Sequence, residues 1–304
     1  MASLFRVPPA RLLATLTLAA AVLLAAGLAG ACPLLVAVGL AVALPALLST
    51  VALVRQGLFG RDGVACPDPV LWVAAAGGIA AAALTAVALP VAAPEGRPLL
   101  AAAGLVATAG LLMVALTAQV GTGWLARLRA GWDGLTSGAA VALAGWLLIP
   151  DPGTGAWFGY VAAITTCAVT MLGLSSLWRA DRRDRPAMLY RVAGATLVTA
   201  GQALLGIALG GTDQILVLAA AVLLLAGPPA LWTGIRTAPW GVADQPRPPG
   251  GQLLLWSGGL FLLLPVAIAA LIMSYQLLVA GRLDQGALPL VVVLGLVLAV
   301  REAL

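Results

Sequence analysis

Three polar side chains fall inside long apolar stretches of this chain, where hydrogen-bonding chemistry would stand out. Gln202 lies near the middle of one stretch, Gln119 near the end of another, and Thr166 along a third. A threonine hydroxyl can bond to its own helix, whereas a central amide needs another helix or a ligand. We therefore expect Gln202 either to bond across helices or to contact a bound molecule. Gln119 and Thr166 are further candidate contacts.

The densest group of charges is the segment Arg179-Ala-Asp-Arg-Arg-Asp-Arg185, which is followed by Arg191. Arginines at a membrane edge anchor the neighbouring helices and contact anionic lipid headgroups. They can also dock a cytoplasmic partner, and both readings stay open. The candidate residues for lipid or partner docking are Arg179, Arg182, Arg183, Arg185 and Arg191.

Residues for catalysis or for cofactor binding are scarce. The chain contains no His, which excludes His-ligated haem, His-containing zinc or copper sites and His general bases. It has no phosphate-binding glycine loop, no nucleophile group and no carboxylate pair with metal-like spacing. Cys32, Cys66 and Cys167 form no CxxC motif, and we expect them to be unbridged. We expect no enzyme activity, no cofactor and no metal in this chain.

The composition is that of a membrane protein. Of 304 residues, 62% are hydrophobic and 9% are charged, whereas soluble domains carry about 25% charged residues. The net charge of +5 could suggest nucleic acid, but all 16 basic residues are Arg and lie in short loops between apolar runs. We therefore interpret them as membrane topology signals and expect the lipid bilayer, not nucleic acid, as the partner.

Ten apolar stretches separated by Arg, Pro, Gly and Asp predict an all-α polytopic bundle of about ten transmembrane helices. A single integral membrane domain covers residues 1–304. The predicted spans are 12–31, 34–54, 70–91, 98–120, 134–149, 156–178, 191–210, 214–234, 252–275 and 286–302. Asp133 precedes the fifth span and is followed by Gly134, so we expect it to be the N-cap of that helix.

The arginines give the predicted bundle an orientation. With the N-terminus inside, 14 arginines fall in cytoplasmic segments and only Arg97 and Arg282 fall in outer loops. Short loops with excess Arg lie in the cytoplasm. We therefore predict a multi-pass protein of the cell membrane with both termini cytoplasmic.

Small residues at helical spacing predict close helix packing. Gly134-x-x-x-Gly138 and Gly206-x-x-x-Gly210 are such pairs. We expect them to pack helices within the chain, with a homodimer contact as the alternative.

The final span ends in Val300-Arg301-Glu302-Ala303-Leu304, without Gly, Pro or a polar tail to stop the helix. Arg, Glu, Ala and Leu are strong helix formers. The sequence predicts either an abrupt end or a signalling helix. In the second case Arg301 and Glu302 mark its exit towards a cytoplasmic domain or partner after Leu304.

This layout resembles the N-terminal multi-span region of actinobacterial diguanylate cyclase/phosphodiesterase proteins. The resemblance rests on the Arg-flanked spans, on Asp133-Gly134-Leu135 with the later Trp146, and on the exit helix. It implies a sensory or anchoring module that relays a signal through the last helix. The catalytic GGDEF and EAL segments are absent from this sequence, so no cyclic-di-GMP chemistry is assigned to it.

Two other functions remain open at this point. Ten spans in about 300 residues also resemble the drug/metabolite transporter superfamily, in which two five-span halves form inverted repeats. The third candidate is a structural membrane subunit that binds a partner through its Arg-rich loops.

Overall fold

The computed structural model describes residues 9–59, 69–117, 124–148, 157–180, 182, 184–209, 214–237, 251–280 and 287–303. These described parts form ten α-helices and one short 3-10 turn, Pro94–Gly96, with no β-strand. The helices are α1 (Pro9–Leu28), α2 (Leu34–Phe59), α3 (Pro69–Val91), α4 (Arg97–Thr117), α5 (Trp124–Leu148), α6 (Trp157–Arg179), α7 (Arg185–Ala208), α8 (Gln214–Arg236), α9 (Gly251–Ala280) and α10 (Ala287–Ala303).

The helices follow the predicted spans in order, which confirms the all-α class. Among the described residues, six helices are long and apolar enough to cross a membrane: α2, α3, α4, α6, α7 and α8. α1 and α9 contribute shorter apolar stretches, Leu18–Leu28 and Leu264–Leu278. The chain is therefore an apolar helical bundle of a multi-pass membrane type.

Consecutive helices run in opposite directions wherever two contacts between them are described. Gly194 of α7 lies against Leu231 of α8, while Gly201 further along α7 lies against the earlier residue Leu224. The same reversal is seen for Gly134 with Leu172 and Gly138 with Ala168 (α5 and α6), for Gly39 with Ala86 and Thr50 with Ala76 (α2 and α3), and for Gly78 with Leu112 and Gly104 with Thr85 (α3 and α4). Thr117 and Trp124 are seven positions apart, at most about 25 Å of extended chain and less than the length of a spanning helix, so α4 ends and α5 begins at the same end of the bundle.

The alternation gathers most of the arginines at one end of the bundle. We call this the arginine-rich end; it holds the C-termini of the even-numbered helices and the N-termini of the odd-numbered ones. Its arginines with described side chains are Arg55, Arg127, Arg129, Arg182, Arg185, Arg191, Arg236 and Arg301. Arg97, the first residue of α4, lies at the opposite end.

Two apolar cores hold the bundle together. The larger core lies mainly among α2, α3, α4, α6, α7 and α8, with Ile79, Leu105, Leu112 and Leu224 fully buried. The smaller core joins α5, α9 and α10. α10 packs chiefly on α5, and α9 packs on α5 and more lightly on α6. The rings of Trp146 and Tyr160, stacked 4.4 Å apart, connect α5 to α6.

The predicted start of the fifth span is wrong. We expected a helix over 134–149 with Asp133 as its N-cap, but α5 begins at Trp124 and Asp133 lies well inside it. The segment before Asp133 carries Arg127 and Arg129, which interrupt the apolar pattern although both are good helix formers. The apolar pattern therefore marked where the helix becomes hydrophobic, not where it begins.

The pair Gly134 and Gly138 packs helices within the chain, as expected. A Cβ at Gly138 would lie 2.3 Å from the backbone nitrogen of Ala168, so α5 and α6 touch backbone to backbone there. Gly206 receives the ring of Phe158 from α6. Gly210, the second member of the other pair, is outside the described residues.

Candidate functional site

Gln202 lies on the interior face of α7. It is 4% exposed and shares a buried stripe with Met188, Arg191 and Ala195, whereas Leu189 and Ile207 on the opposite face are exposed. Stripes on either side of it contact α6 and α8, Arg191 of the same stripe contacts α8, and α7 also touches α4 and α3. The amide is therefore inside the bundle and not at its lipid surface.

Neither polar atom of the Gln202 amide has a hydrogen-bond partner among the described residues. Among the described residues, the amide therefore makes neither of the bonds that an interhelical role would require. A buried amide without partners costs on the order of 1–3 kcal/mol, and more in a membrane interior where no bulk water competes.

Thr166 lies close to the level of Gln202. Thr170 of α6 meets Thr196 of α7, with their Oγ1 atoms 3.3 Å apart. Thr166 lies four residues before Thr170, and Ala200 lies four residues after Thr196, so Thr166 and Ala200 are at the same level of the antiparallel pair. Gln202 is two residues, about 3 Å, further along the α7 axis. The Thr166 hydroxyl is buried and also lacks a partner.

A third unpartnered hydroxyl belongs to Thr108, which is fully buried near mid-length of α4. α4 packs against both α6 and α7, so the three groups lie on three mutually touching helices. Other threonines of this region are satisfied: Thr199 Oγ1 donates to the carbonyls of Ala195 and Thr196. Gln119, the remaining predicted polar candidate, is outside the described residues.

A second feature links α10 to α5. Arg301 Nε donates to Asp133 Oδ1 at 3.1 Å, with side chains 21% and 28% exposed. Arg301 also pairs with its neighbour Glu302, whose side chain is exposed. Arg301, one of the two residues singled out at the exit helix, is thus paired with Asp133, the one acidic residue of α5.

The arginines predicted as a docking group are separated by the structure. Arg182 and Arg185 are exposed, and Arg185 Nε donates to the carbonyl of Ala180, just beyond α6. Arg191 is only 3% exposed, and its Nε donates to Gly234 O of α8 at 2.9 Å.

Arg191 is therefore not part of a docking surface, because its guanidinium is used inside the bundle. Asp184, at the start of α7, attracts the same guanidinium. The side chain of Arg179 and all of Arg183 are outside what the structure describes.

No group of three His, Cys, Asp or Glu residues in the described part could hold a metal ion. Cys32 and Cys167 are free thiols, and Cys66 falls outside the described residues. The arrangement offers neutral hydrogen bonding inside the bundle and charge pairing at its arginine-rich end.

No family model, curated protein or solved structure matches this chain.

Sequence reasoning missed two elements of these sites. Thr108 resembles the other threonines of the apolar stretches, and nothing in its neighbours signals that its hydroxyl lacks a partner. The partner of Arg301 is 168 positions away in the chain. Asp133, just before the predicted fifth span, could have indicated such an ion pair, because a carboxylate so close to an apolar stretch needs a cation or a helix N-terminus as its partner.

Proposed function

We propose that this chain is a multi-pass sensory or anchoring module of the cell membrane. It has about ten spans, both termini face the cytoplasm, and it relays a signal through α10 to a cytoplasmic domain or partner. The resemblance to the membrane regions of actinobacterial diguanylate cyclase/phosphodiesterase proteins is in keeping with this role. The observation that carries the proposal is the Asp133–Arg301 ion pair.

The packing of α10 suits a relay. α10 contacts the bundle mainly through α5, and the core that it shares with α5 and α9 is separate from the larger core. α5 in turn touches α6 backbone to backbone at Gly138. A shift of α6 therefore reaches α5 directly, and α5 passes it to α10.

The ion pair fixes the last turn of α10 to α5. Leu290 and Leu294 hold the earlier part of α10 by apolar contact, while Arg301 lies beyond that core. Charges that are partly shielded from water attract more strongly than fully solvated ones. Losing Asp133 leaves the Arg301 guanidinium without its α5 partner, so the end of α10 should move independently of α5.

Spin labelling of Glu302 tests this arrangement. With native cysteines replaced by Ser, a label at Glu302→Cys should be immobilised when Asp133 is intact and clearly more mobile in Asp133→Asn. The exchanged pair Asp133→Arg with Arg301→Asp should restore immobilisation. Asp184→Asn is the matched control, since it removes an acid at the same end whose described electrostatic partner is Arg191 of α7 and not Arg301 of α10.

Equal mobility of the label in Asp133→Asn and in the unmodified protein would contradict the proposal. An effect of Asp184→Asn as large as that of Asp133→Asn would contradict it too, because the response would then be a general effect of charge.

A second function, small-molecule transport, is supported by the unpartnered amide of Gln202 in the bundle interior. Transporters bind substrate near the membrane midplane with polar groups of this kind. The packing differs from two inverted five-helix halves, because α9 packs on α5 and not next to α8 as α4 packs next to α3. Passage separates the two functions: a transporter equilibrates a solute across proteoliposomes, and a relay module does not.

A further inference from the structure

The amide of Gln202 is better suited to binding a molecule than to holding helices together. A structural glutamine in a membrane helix forms hydrogen bonds to a neighbouring helix through its amide. Gln276 of α9 does so, since its Nε2 donates to Leu147 O at the end of α5. Gln202 is more deeply buried than Gln276 and bonds to nothing in the described part of the chain.

Loose packing does not explain why the Gln202 amide lacks a partner, because α7 packs closely against α8 and α6 on either side of it. A Cβ at Gly201 would lie 2.8 Å from Leu224, and one at Gly206 would lie 2.0 Å from the Phe158 ring. These contacts lie directly before Gln202 and one turn after it. The amide is therefore enclosed. A hydrogen bond to it would be shielded from competing water and would be stronger than the same bond at the surface.

The hydrogen-bonding groups present define the chemistry of an occupant. Gln202 offers one acceptor and a donor NH₂ group, and the hydroxyl of Thr166 can do either. An occupant must therefore both donate and accept, as carboxamides, ureas and alcohols do.

The surroundings of Gln202 disfavour a charged occupant. Beyond Arg191, α7 carries no Arg, Asp or Glu, and Arg191 itself is eleven residues, about 16 Å, away along the same stripe. The spans of α4 and α6 contain none between their ends. A charged molecule would lose its hydration without meeting an opposite charge, which costs far more than burying a neutral one.

We propose that Gln202 and Thr166 form a binding site, enclosed by α4, α6 and α7, for a small uncharged molecule that both donates and accepts hydrogen bonds. This rests on the proposal that the bundle recognises a small molecule, as sensor or as transporter. Gln202 is the principal contact, and Thr166 adds the second.

Ligand-observed saturation-transfer NMR on the full chain in lipid nanodiscs tests the site. The probes are acetamide, urea and glycerol, with acetate and guanidinium as charged comparisons. We expect saturation transfer to at least one neutral probe and none to the charged ones. Gln202→Leu should weaken that binding about tenfold, the value of one well-made hydrogen bond.

Matched variants separate a binding role from a folding role. Thr166→Val keeps the shape and removes an unpartnered hydroxyl, so it should weaken binding. Thr199→Val removes a hydroxyl already bonded within α7, so it should leave binding unchanged. Gln276→Leu removes an amide outside the three helices and should do the same. If Gln202→Leu unfolds, the pair of threonine variants still decides the question.

Several outcomes would overturn the site: no transfer to any neutral probe, equal binding by Thr166→Val and the unmodified protein, or equal transfer to acetate and acetamide. Binding is measured without reference to α10. A failed binding test therefore leaves the ion-pair result at Glu302 standing, and a failed relay test leaves the binding result standing.

Discussion

Arg191 and Arg97 each donate a hydrogen bond to a carbonyl at the C-terminal end of a helix, at opposite ends of the bundle. The last carbonyls of a helix have no partner in that helix, and they carry the negative end of its dipole. Arg191 donates to Gly234 O in the last turn of α8, and Arg97 donates to Ala92 O, just past α3. Arg97 thus has a structural reason to lie among the few arginines away from the arginine-rich end.

Replacing Arg191 should be costly, although it is an arginine near a membrane edge. Arg191→Met keeps the length and apolar stem but removes the donor to Gly234 O. The expected loss is on the order of 1–3 kcal/mol of stability, because a buried carbonyl and helix end are left unpaired. Thermal unfolding in detergent measures it.

The control is Arg182→Met. Arg182 is exposed and should change stability by about 0.5 kcal/mol or less. Equal melting temperatures for the two variants would show that the Arg191 cap contributes nothing.

At the scale of elements, glycines decide how closely the helices approach. Without a hydrophobic effect between helices in lipid, close backbone contact supplies the attraction. α5 and α6 approach most closely at Gly138, and α7 and α8 at Gly194, where a Cβ would lie 2.4 Å from the backbone nitrogen of Leu231. Backbone atoms cannot rotate away from an added methyl as a side chain can.

Gly138→Ala should therefore push α5 away from α6. We expect a loss on the order of 1–3 kcal/mol, typical of overpacking. Gly145→Ala, two turns later on α5 with open space around it, is the matched control. It should be neutral or stabilising, since Ala forms helix better than Gly. Unfolding in detergent compares the two, and equal losses would mean that the effect arises from the helix itself and not from its contact.

The larger part of the bundle repeats its packing after four helices. α2, α3 and α4 are consecutive neighbours, as are α6, α7 and α8, and α4 packs on α6 as α2 packs on α8. An even repeat preserves direction, so its two units run the same way through the bundle. α9 and α10 are additions on α5, which places the proposed relay outside the repeated part.

Much of this architecture could be predicted because hydropathy and arginine position act locally. The starts of α8 and α10 were predicted within a residue, since Asp213 and Gly286 separate apolar stretches there. The start of α5 was missed because charged residues can also be helical. The Arg191–Gly234 bond joins positions 43 apart, and only folding reveals such pairs. Likewise, only the folded structure shows that no described neighbour offers a hydrogen-bonding group to the Gln202 amide.

The number of crossings can be tested by cysteine accessibility in sealed, oriented membrane vesicles. With native cysteines replaced, single cysteines go to Glu95, Asp151 and Asp284, each in a link predicted to lie outside, and to Arg182 and Glu302. We expect a membrane-impermeant maleimide added outside to label the first three sites and not the last two. Alternation in ten helices requires this pattern, because each crossing changes the side.

Each site tests a particular helix. Asp151 on the same side as Arg182 would mean that α6 fails to cross, and Asp284 on the same side as Glu302 would mean that α10 lies along the surface. The second result would bear directly on function. The Asp133–Arg301 pair would then join two helices at the membrane surface, and α10 could not carry a signal from one side of the bilayer to the other.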